Sequence, residues 1–241
     1  DILNFIKANY KTDEIVVAVI GDYALNKFIK IGTKHFESVP ANLTIKTRVA
    51  PSVNPAQNVV VNKQISQAHV MMGTQAYSLH HPYKAGLLLL NNMLGGTGMS
   101  SILNLQIREK HGIAYTIESN YSPLSDTGIF ALYFGTDKEK LDKAFSLISK
   151  EFKKIKDQPL TEIQLQKAKN KFIGQIALGE ENRIGLIISM AKSLIDYNKI
   201  DNLETVFNKI RAVSTADMAN IANEILDEKN LSSLTFYPTE S

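Results

Sequence analysis

Apolar positions along the chain fall into successive blocks of helical and of strand period. Ile2, Phe5, Ile6 and Tyr10 recur at helical spacing, Ile15–Ile20 is a β-branched run closed by Gly21 and Asp22, and Leu25, Phe28, Ile29, Gly32 and Phe36 mark a second helical face. One strand flanked by helices cannot make a sheet alone. The stretch from Pro40 through Pro51 to Pro55 has no helical period and reads as a linker. After it come two strands near Gln57–Lys63 and Gln67–Tyr77, a helix entered at Pro82 and running to Leu94, a glycine-rich turn at Gly95-Gly96-Thr97-Gly98, and a helix from Ser100 to Lys110. A hairpin follows, with Ile113, Tyr115, Ile117 and Tyr121 as one alternating face, a turn at Pro123–Asp126, and the nearly continuous run Gly128–Phe134.

The remainder is mostly helical. Leu141, Ala144, Phe145, Ile148, Phe152 and Ile155 form one stripe, and Thr161 with Gln164 is a capping box opening a helix through Leu165, Ala168, Phe172 and Ile176. Ile184–Tyr197 and Leu203–Ile210 are shorter helices. A last helix starts near Ser214 and carries Met218, Ile221, Ala222, Ile225 and Leu226, before a closing strand at Leu231–Phe236. The pattern is α+β.

The end of the chain resembles its beginning. A shift of 216 positions maps Ile2, Phe5, Ile6, Tyr10, Ile15, Ala18 and Ile20 onto Met218, Ile221, Ala222, Leu226, Leu231, Leu234 and Phe236, apolar on apolar each time. This reads as the tail of one repeat followed by a complete copy of a unit of about 200 residues. The expected organisation is residues 1–40 as the tail of a first homologous half, 41–56 as linker and 57–241 as the second half, with the front truncated.

Composition narrows the chemistry. The chain has 241 residues, is 44% hydrophobic and 21% charged, and carries 27 Lys+Arg against 24 Asp+Glu, a balance too even to point to a polyanion. It has no Cys, which removes disulfides, thiolate zinc sites and Cys nucleophiles. No apolar stretch approaches the ~20 residues of a membrane span, and no signal peptide opens the segment. A soluble protein of the cytoplasm or periplasm is expected, its compartment otherwise unknown.

The five histidines are His35, His69, His80, His81 and His111, and neither H-E-x-x-H nor H-x-x-E-H occurs. His80 and His81 read as exposed turn residues, and His35 and His111 as complements to helix C-termini. The glycine turn lacks the Lys-Ser/Thr of a phosphate loop and follows a helix, so a tight helix–helix turn is the better reading. Lys150, Lys153, Lys154 and Lys156 share a helix with an apolar stripe and form a solvated face, without the interleaved aromatics of a nucleic-acid surface. No G-x-S-x-G elbow is present.

One constellation stands apart: Arg108-Glu109-Lys110-His111-Gly112-Ile113-Ala114-Tyr115, running from helix end into strand. Arg108 and Tyr115 are seven residues apart across a glycine reversal, and a guanidinium fork with a phenol suits a peptide carbonyl, a carboxylate or a developing oxyanion. The other reading is a structural Arg on a helix C-terminus and a core Tyr, and spacing alone favours it.

Leu94-Gly95-Gly96-Thr97-Gly98-Met99-Ser100-Ser101-Ile102-Leu103 with Ile107-Arg108-Glu109-Lys110-His111-Gly112-Ile113-Ala114-Tyr115 resembles the pitrilysin/insulinase family of zinc peptidases, which includes mitochondrial processing peptidase. The family's second-half signature reads roughly L-G-G-G-x-S-S-R-L-x-x-x-(I/L)-R-E-K-x-G-L-A-Y. The likeness continues through Asp126-Thr127-Gly128, Thr161-Glu162-Ile163 and Ala168-Lys169, and Asn9–Asp13 with Val19–Asp22 looks like a first-half ending. Ile102 stands where the family often has Arg, and Asn104 where it often has an aromatic.

The resemblance implies a two-layer domain, a mostly antiparallel sheet against helices, as one of two halves closing on an extended peptide. The first half carries zinc through H-x-x-E-H. The second supplies an Arg and a Tyr that bind the substrate near the scissile bond, matching Arg108 and Tyr115. It implies that this segment binds no metal and is inactive alone, with zinc in a missing N-terminal half or a partner subunit. The expected partners are a peptide substrate and that zinc-bearing half or homologous subunit, with homodimerisation through the unpaired strand at Ile15–Ile20, and without nucleic acid. The alternatives are a non-catalytic partner subunit, a structural homologue, or a helical scaffold in which Arg108 and Tyr115 are buried or point apart.

Overall fold

Alternation with period 2 builds the sheet. In Gly128–Thr136 (β4), Phe130, Leu132 and Phe134 are buried while Ile129 and Tyr133 face the other way. Ala68–Ala76 (β2) buries Ala68 and Val70, and Ala114–Pro123 (β3) buries Ile117, Ser119 and Tyr121. With Asn58–Lys63 (β1) and Ser232–Pro238 (β5), these strands form a sheet in the order β1-β5-β2-β4-β3. All its pairings are antiparallel except β1 with β5. This is the expected α+β layer in a computed structural model that describes residues 1–43, 49–96 and 98–239. Residues 44–48 of the expected linker, and Thr97 of the glycine turn, lie outside the described residues.

One face of the sheet is covered by helices Lys84–Gly95 (α3), Leu141–Asp157 (α4) and Thr215–Ile225 (α8), with a shorter helical segment at Asn104–Lys110. The core joins Leu87, Leu90 and Leu94 of α3, Ile148 and Phe152 of α4, and Met218, Ile221 and Ile225 of α8 to Phe130, Leu132 and Phe134. α3 lies close on β3: a Cβ on Gly95 would stand 2.6 Å from the backbone nitrogen of Ser119. The buried Tyr77 donates to Glu224 Oε2 at 2.6 Å, tying α8 to the strand end, and burial pushes its phenol pKa strongly up.

The chain divides into two compact units. The one just described takes in the described residues from Val49 to Gly174 and from Val206 onward. The other comprises the described part of Asp1–Arg48 with Gln175–Thr205. This second unit holds helices Ile2–Asn9 (α1), Leu25–Phe36 (α2) and Arg183–Tyr197 (α6), none of which buries a residue. Asn42 clasps its front: the side chain accepts from Lys11 Nζ at 3.0 Å and donates to the Tyr10 carbonyl at 3.0 Å. Helices Glu162–Gly179 (α5) and Leu203–Arg211 (α7) each contribute residues to both units.

Local signals in the sequence are met closely. Thr161 and Gln164 exchange the expected capping bonds, and Ser214 caps α8 in a box with Asp217, whose carboxyl the Ser214 backbone N–H holds below the usual range. Three expectations change. Ile15–Ile20 is in no sheet among the described residues, because an extended run becomes a strand only when a neighbour takes its N–H and C=O groups. The helix expected from Ser100 begins at Ile102 and is wound as a π-helix over Asn104–Lys110. The alternating face expected through Tyr115 is broken by a bulge.

Candidate substrate-binding site

Asn104 opens the π-helical segment and is buried there, donating through Nδ2 to Ser101 Oγ at 2.9 Å and to the Ile117 carbonyl at 3.1 Å. Those bonds and the buried Leu103 and Ile107 pin the segment against β3, and the next residue, Arg108, is left facing solvent. The segment ends on Gly112, whose φ of +59° is the left-handed conformation that closes helices, with its N–H donating to the Arg108 carbonyl at 3.0 Å. Ile113 N–H reaches back to the Ile107 carbonyl at 3.1 Å, so the turn delivers the chain straight into β3. Among the described residues the Arg108 guanidinium pairs with Glu109, Nε to Oε1 at 3.8 Å, with the side chains 42% and 46% exposed. A surface pair of that kind contributes little and is readily exchanged for a ligand.

Tyr115 owes its position to one extra residue. Ala114 pairs with Thr136 and Thr116 with Gly135, so Tyr115 has no partner of its own on β4 and is the inserted residue of a β-bulge. Ala114 and Ile117 both turn to the core, and Tyr115 is left 53% exposed. Its hydroxyl donates to Asp137 Oδ1 at 2.9 Å, and the other oxygen of Asp137 meets Lys140 Nζ at 2.8 Å. The hydrogen bond to Asp137 pushes the Tyr115 phenol up from its usual pKa, while the bond from Lys140 and then that from Tyr115 hold Asp137 down. Lys140 is raised by its bond to Asp137. Thr136 Oγ1 donates to the Ile113 carbonyl at 2.6 Å, fixing the chain to β4 just before the bulge.

Arg108 and Tyr115 thus leave one rigid turn, each exposed, and no hydrogen bond joins them among the described residues. The core Tyr reading is excluded by exposure. Asp137 and Lys140, which hold the phenol, were not read from the sequence; the signal was the phase slip between buried Ala114 and buried Ile117. A hollow of about 280 Å³ adjoins Asp137, between Ser66, Glu139 and Thr239. The larger hollow, about 390 Å³, sits in the helix layer among Leu90, Met93, Leu105, Ile155, Leu160 and Met218 and includes neither Arg108 nor Tyr115.

Of the histidines, His80 is exposed, but His81 stacks on Tyr77 with ring centroids 4.1 Å apart, and its Nδ1 accepts the Tyr83 backbone N–H at 3.1 Å. His35 lies in the last turn of α2 and His111 at the end of the π-helical segment. Among the described residues no three His, Cys, Asp or Glu stand together as a metal site would require, and no helix is long and apolar enough to cross a membrane.

The sequence profile of the domain described as "Peptidase M16 inactive domain" matches residues 1–172. The uncharacterized zinc protease YmxG of Bacillus subtilis is 27% identical over 219 residues, covering 91% of this chain and 53% of that protein. An uncharacterized zinc protease of Rickettsia felis is 26% identical over 235 residues, covering 96% of this chain and 56% of its own length. The chain spans about half the length of the curated relatives it matches. Among solved structures, a protease from Helicobacter pylori superposes with a TM-score of 0.83 at 24% identity over 98% of this chain and 58% of that one. A peptidase M16 inactive domain from Pseudomonas fluorescens gives 0.79 at 20% identity, over 92% and 53%. At those identities the likeness is one of fold.

Proposed function

The chain belongs to the peptidase M16 family, through its inactive domain, and from that premise we propose that it is the substrate-binding half of a zinc metallopeptidase. In this reading residues 1–40 are the tail of a preceding homologous half, 41–56 a linker and 57–241 the half that holds the peptide. In this reading zinc is held by the other half or by a homologous subunit, as the zinc-protease relatives suggest, and no ligand set stands together among the described residues of this chain. The chain alone is expected to cleave nothing.

The observation that carries the reading is the bulge, which puts Tyr115 in solvent and anchors it to Asp137 beside the turn that bears Arg108. The chemistry of the two groups is complementary. Arg108 has five N–H donors and no acceptor. The Tyr115 hydroxyl commits its proton to Asp137 and keeps lone pairs to accept. A backbone peptide unit carries one acceptor and one donor, so Arg108 takes its carbonyl and Tyr115 its N–H. An ordinary phenol keeps its proton at neutral pH, and the hydrogen bond to Asp137 shifts the Tyr115 pKa further up.

In the full-length protein, Arg108→Ala and Tyr115→Phe are expected to lower kcat/KM by ~10²–10³ without changing zinc content, measured on peptide cleavage and by elemental analysis. Unchanged turnover in both variants would return the two residues to a structural role.

A further inference from the structure

We propose, resting on the peptide-binding reading above, that His69 is a further substrate-positioning residue. It would hold an extended, apolar-rich peptide about three residues away from the unit engaged by Arg108 and Tyr115.

The sheet register places it. β2 begins at the end of the sheet where β4 finishes, with His69 opposite Gly135 and Gly135 opposite Thr116, the residue next to the bulge. His69 and the bulge therefore share a transverse row with one strand between them, and that strand contributes a residue without a side chain. Two strand spacings amount to roughly 10 Å, which an extended peptide covers in about three residues. Ala68 and Val70 point into the core, so His69 lies on the face of the sheet opposite the helices. Neighbouring outward positions are apolar: Phe236 opposite His69, and Leu234 opposite Met71, all three of these well exposed.

The imidazole is held in a fixed orientation. Its Nδ1 is 2.7 Å from the Tyr133 hydroxyl, the two rings lie within 14° of parallel at 6.1 Å, and a Cβ on Gly135 would touch Nδ1 at 3.7 Å and Cε1 at 4.0 Å. The ring thus rests over the glycine. In the tautomer in which the Tyr133 phenol donates to Nδ1, the proton of the neutral imidazole sits on Nε2. That Nε2–H has no hydrogen-bond partner among the described residues. One nitrogen is then fixed by a second residue and the other is left to donate, on the face of the sheet opposite α3, α4 and α8. A peptide carbonyl is the ligand this geometry suits, and the apolar neighbours suit an apolar side chain beside it.

The test uses the full-length protein with internally quenched peptide libraries of about twelve residues, long enough to reach His69, and of about five, too short to reach it. His69→Ala is expected to raise KM for the long library about tenfold, the loss of one well-placed hydrogen bond, with kcat and the short library unaffected. His69→Gln, whose amide N–H reaches where Nε2 lies, restores most of the loss, and Tyr133→Phe produces a smaller rise. Should His69→Ala not fold, His69→Phe against His69→Gln supplies the same contrast. Equal losses on both libraries, or an unchanged KM on the long one while Arg108→Ala still lowers turnover, overturns the role of His69 alone. If Arg108→Ala and Tyr115→Phe also leave turnover unchanged, or the parent cleaves neither library, the peptide-binding reading falls and this inference with it.

Discussion

α2 and α4 carry the same kind of apolar stripe and meet opposite fates. In α4, Ala144, Ile148 and Phe152 are at most 1% exposed, whereas in α2 Leu25, Ile29 and Phe36 are 69%, 53% and 52% exposed. The helical period is equally clear in both. It records which face seeks cover and says nothing about where the cover comes from. In the sheet-bearing unit the cover is supplied by a sheet whose strands lie as far apart in sequence as β1 and β5. In the other unit α1, α2 and α6 bury nothing, which forgoes about 1.5–3 kcal/mol for each large apolar side chain left in water.

The sharpest way to break this contrast is a pair of truncations. Phe134→Ala, on the core face of β4, is expected to cost about 3–5 kcal/mol in urea unfolding, and Ile29→Ala no more than about 0.5. Comparable losses would mean that the α2 stripe is covered in solution.

A smaller effect tests the close approach of α3 to β3. Gly95→Ala would push a methyl onto the Ser119 backbone and is expected to cost about 1–3 kcal/mol, against little change for Gly174→Ala in α5, where added carbon meets nothing within 4 Å. An equal response at the two glycines would remove the contact.

The smallest effect concerns the exposed network around the bulge. Asp137 has a lowered pKa, so its stabilising contribution is present above the unfolded carboxylate value of about 4 and is lost as pH falls through its folded value. Parent and Asp137→Asn unfolding curves should therefore differ slightly at about pH 5 and converge as the pH is lowered further. The same substitution should bring the Tyr115 phenol back toward its ordinary value near 10, readable as an earlier rise in tyrosinate absorbance on alkaline titration. An unmoved titration would mean that Asp137 does not hold the phenol.

What could be read from the sequence was what is local. Helix stripes, the Thr161–Gln164 box and the Ser214 start depend on residues within a turn of one another, and they appear where the pattern put them. The candidate pair Arg108 and Tyr115 was legible through the glycine between them and the familiar block around it. Their surroundings were not. The bulge depends on a one-residue offset against β4, the anchor Asp137 lies 22 residues from Tyr115, and Tyr133 lies 64 from His69. Pairings at that separation come from sheet register, which no window of sequence contains. The π-helical winding is likewise set by Asn104 reaching Ile117 across 13 residues.

The parallel pairing of β1 with β5 also constrains how the molecule is made. β5 is the last strand in sequence but sits inside the sheet, between β1 and β2, with Gln57 N–H bonded to Ser232 Oγ across 175 residues. A ribosome adding about 5–20 residues per second leaves β1 without that neighbour for roughly 10–35 s after its own synthesis. During that interval the β2–β4–β3 core presents β2 as an open edge. Completion of this sheet is therefore gated by the arrival of β5, and a helper that shields the β2 edge would act on the chain during that interval.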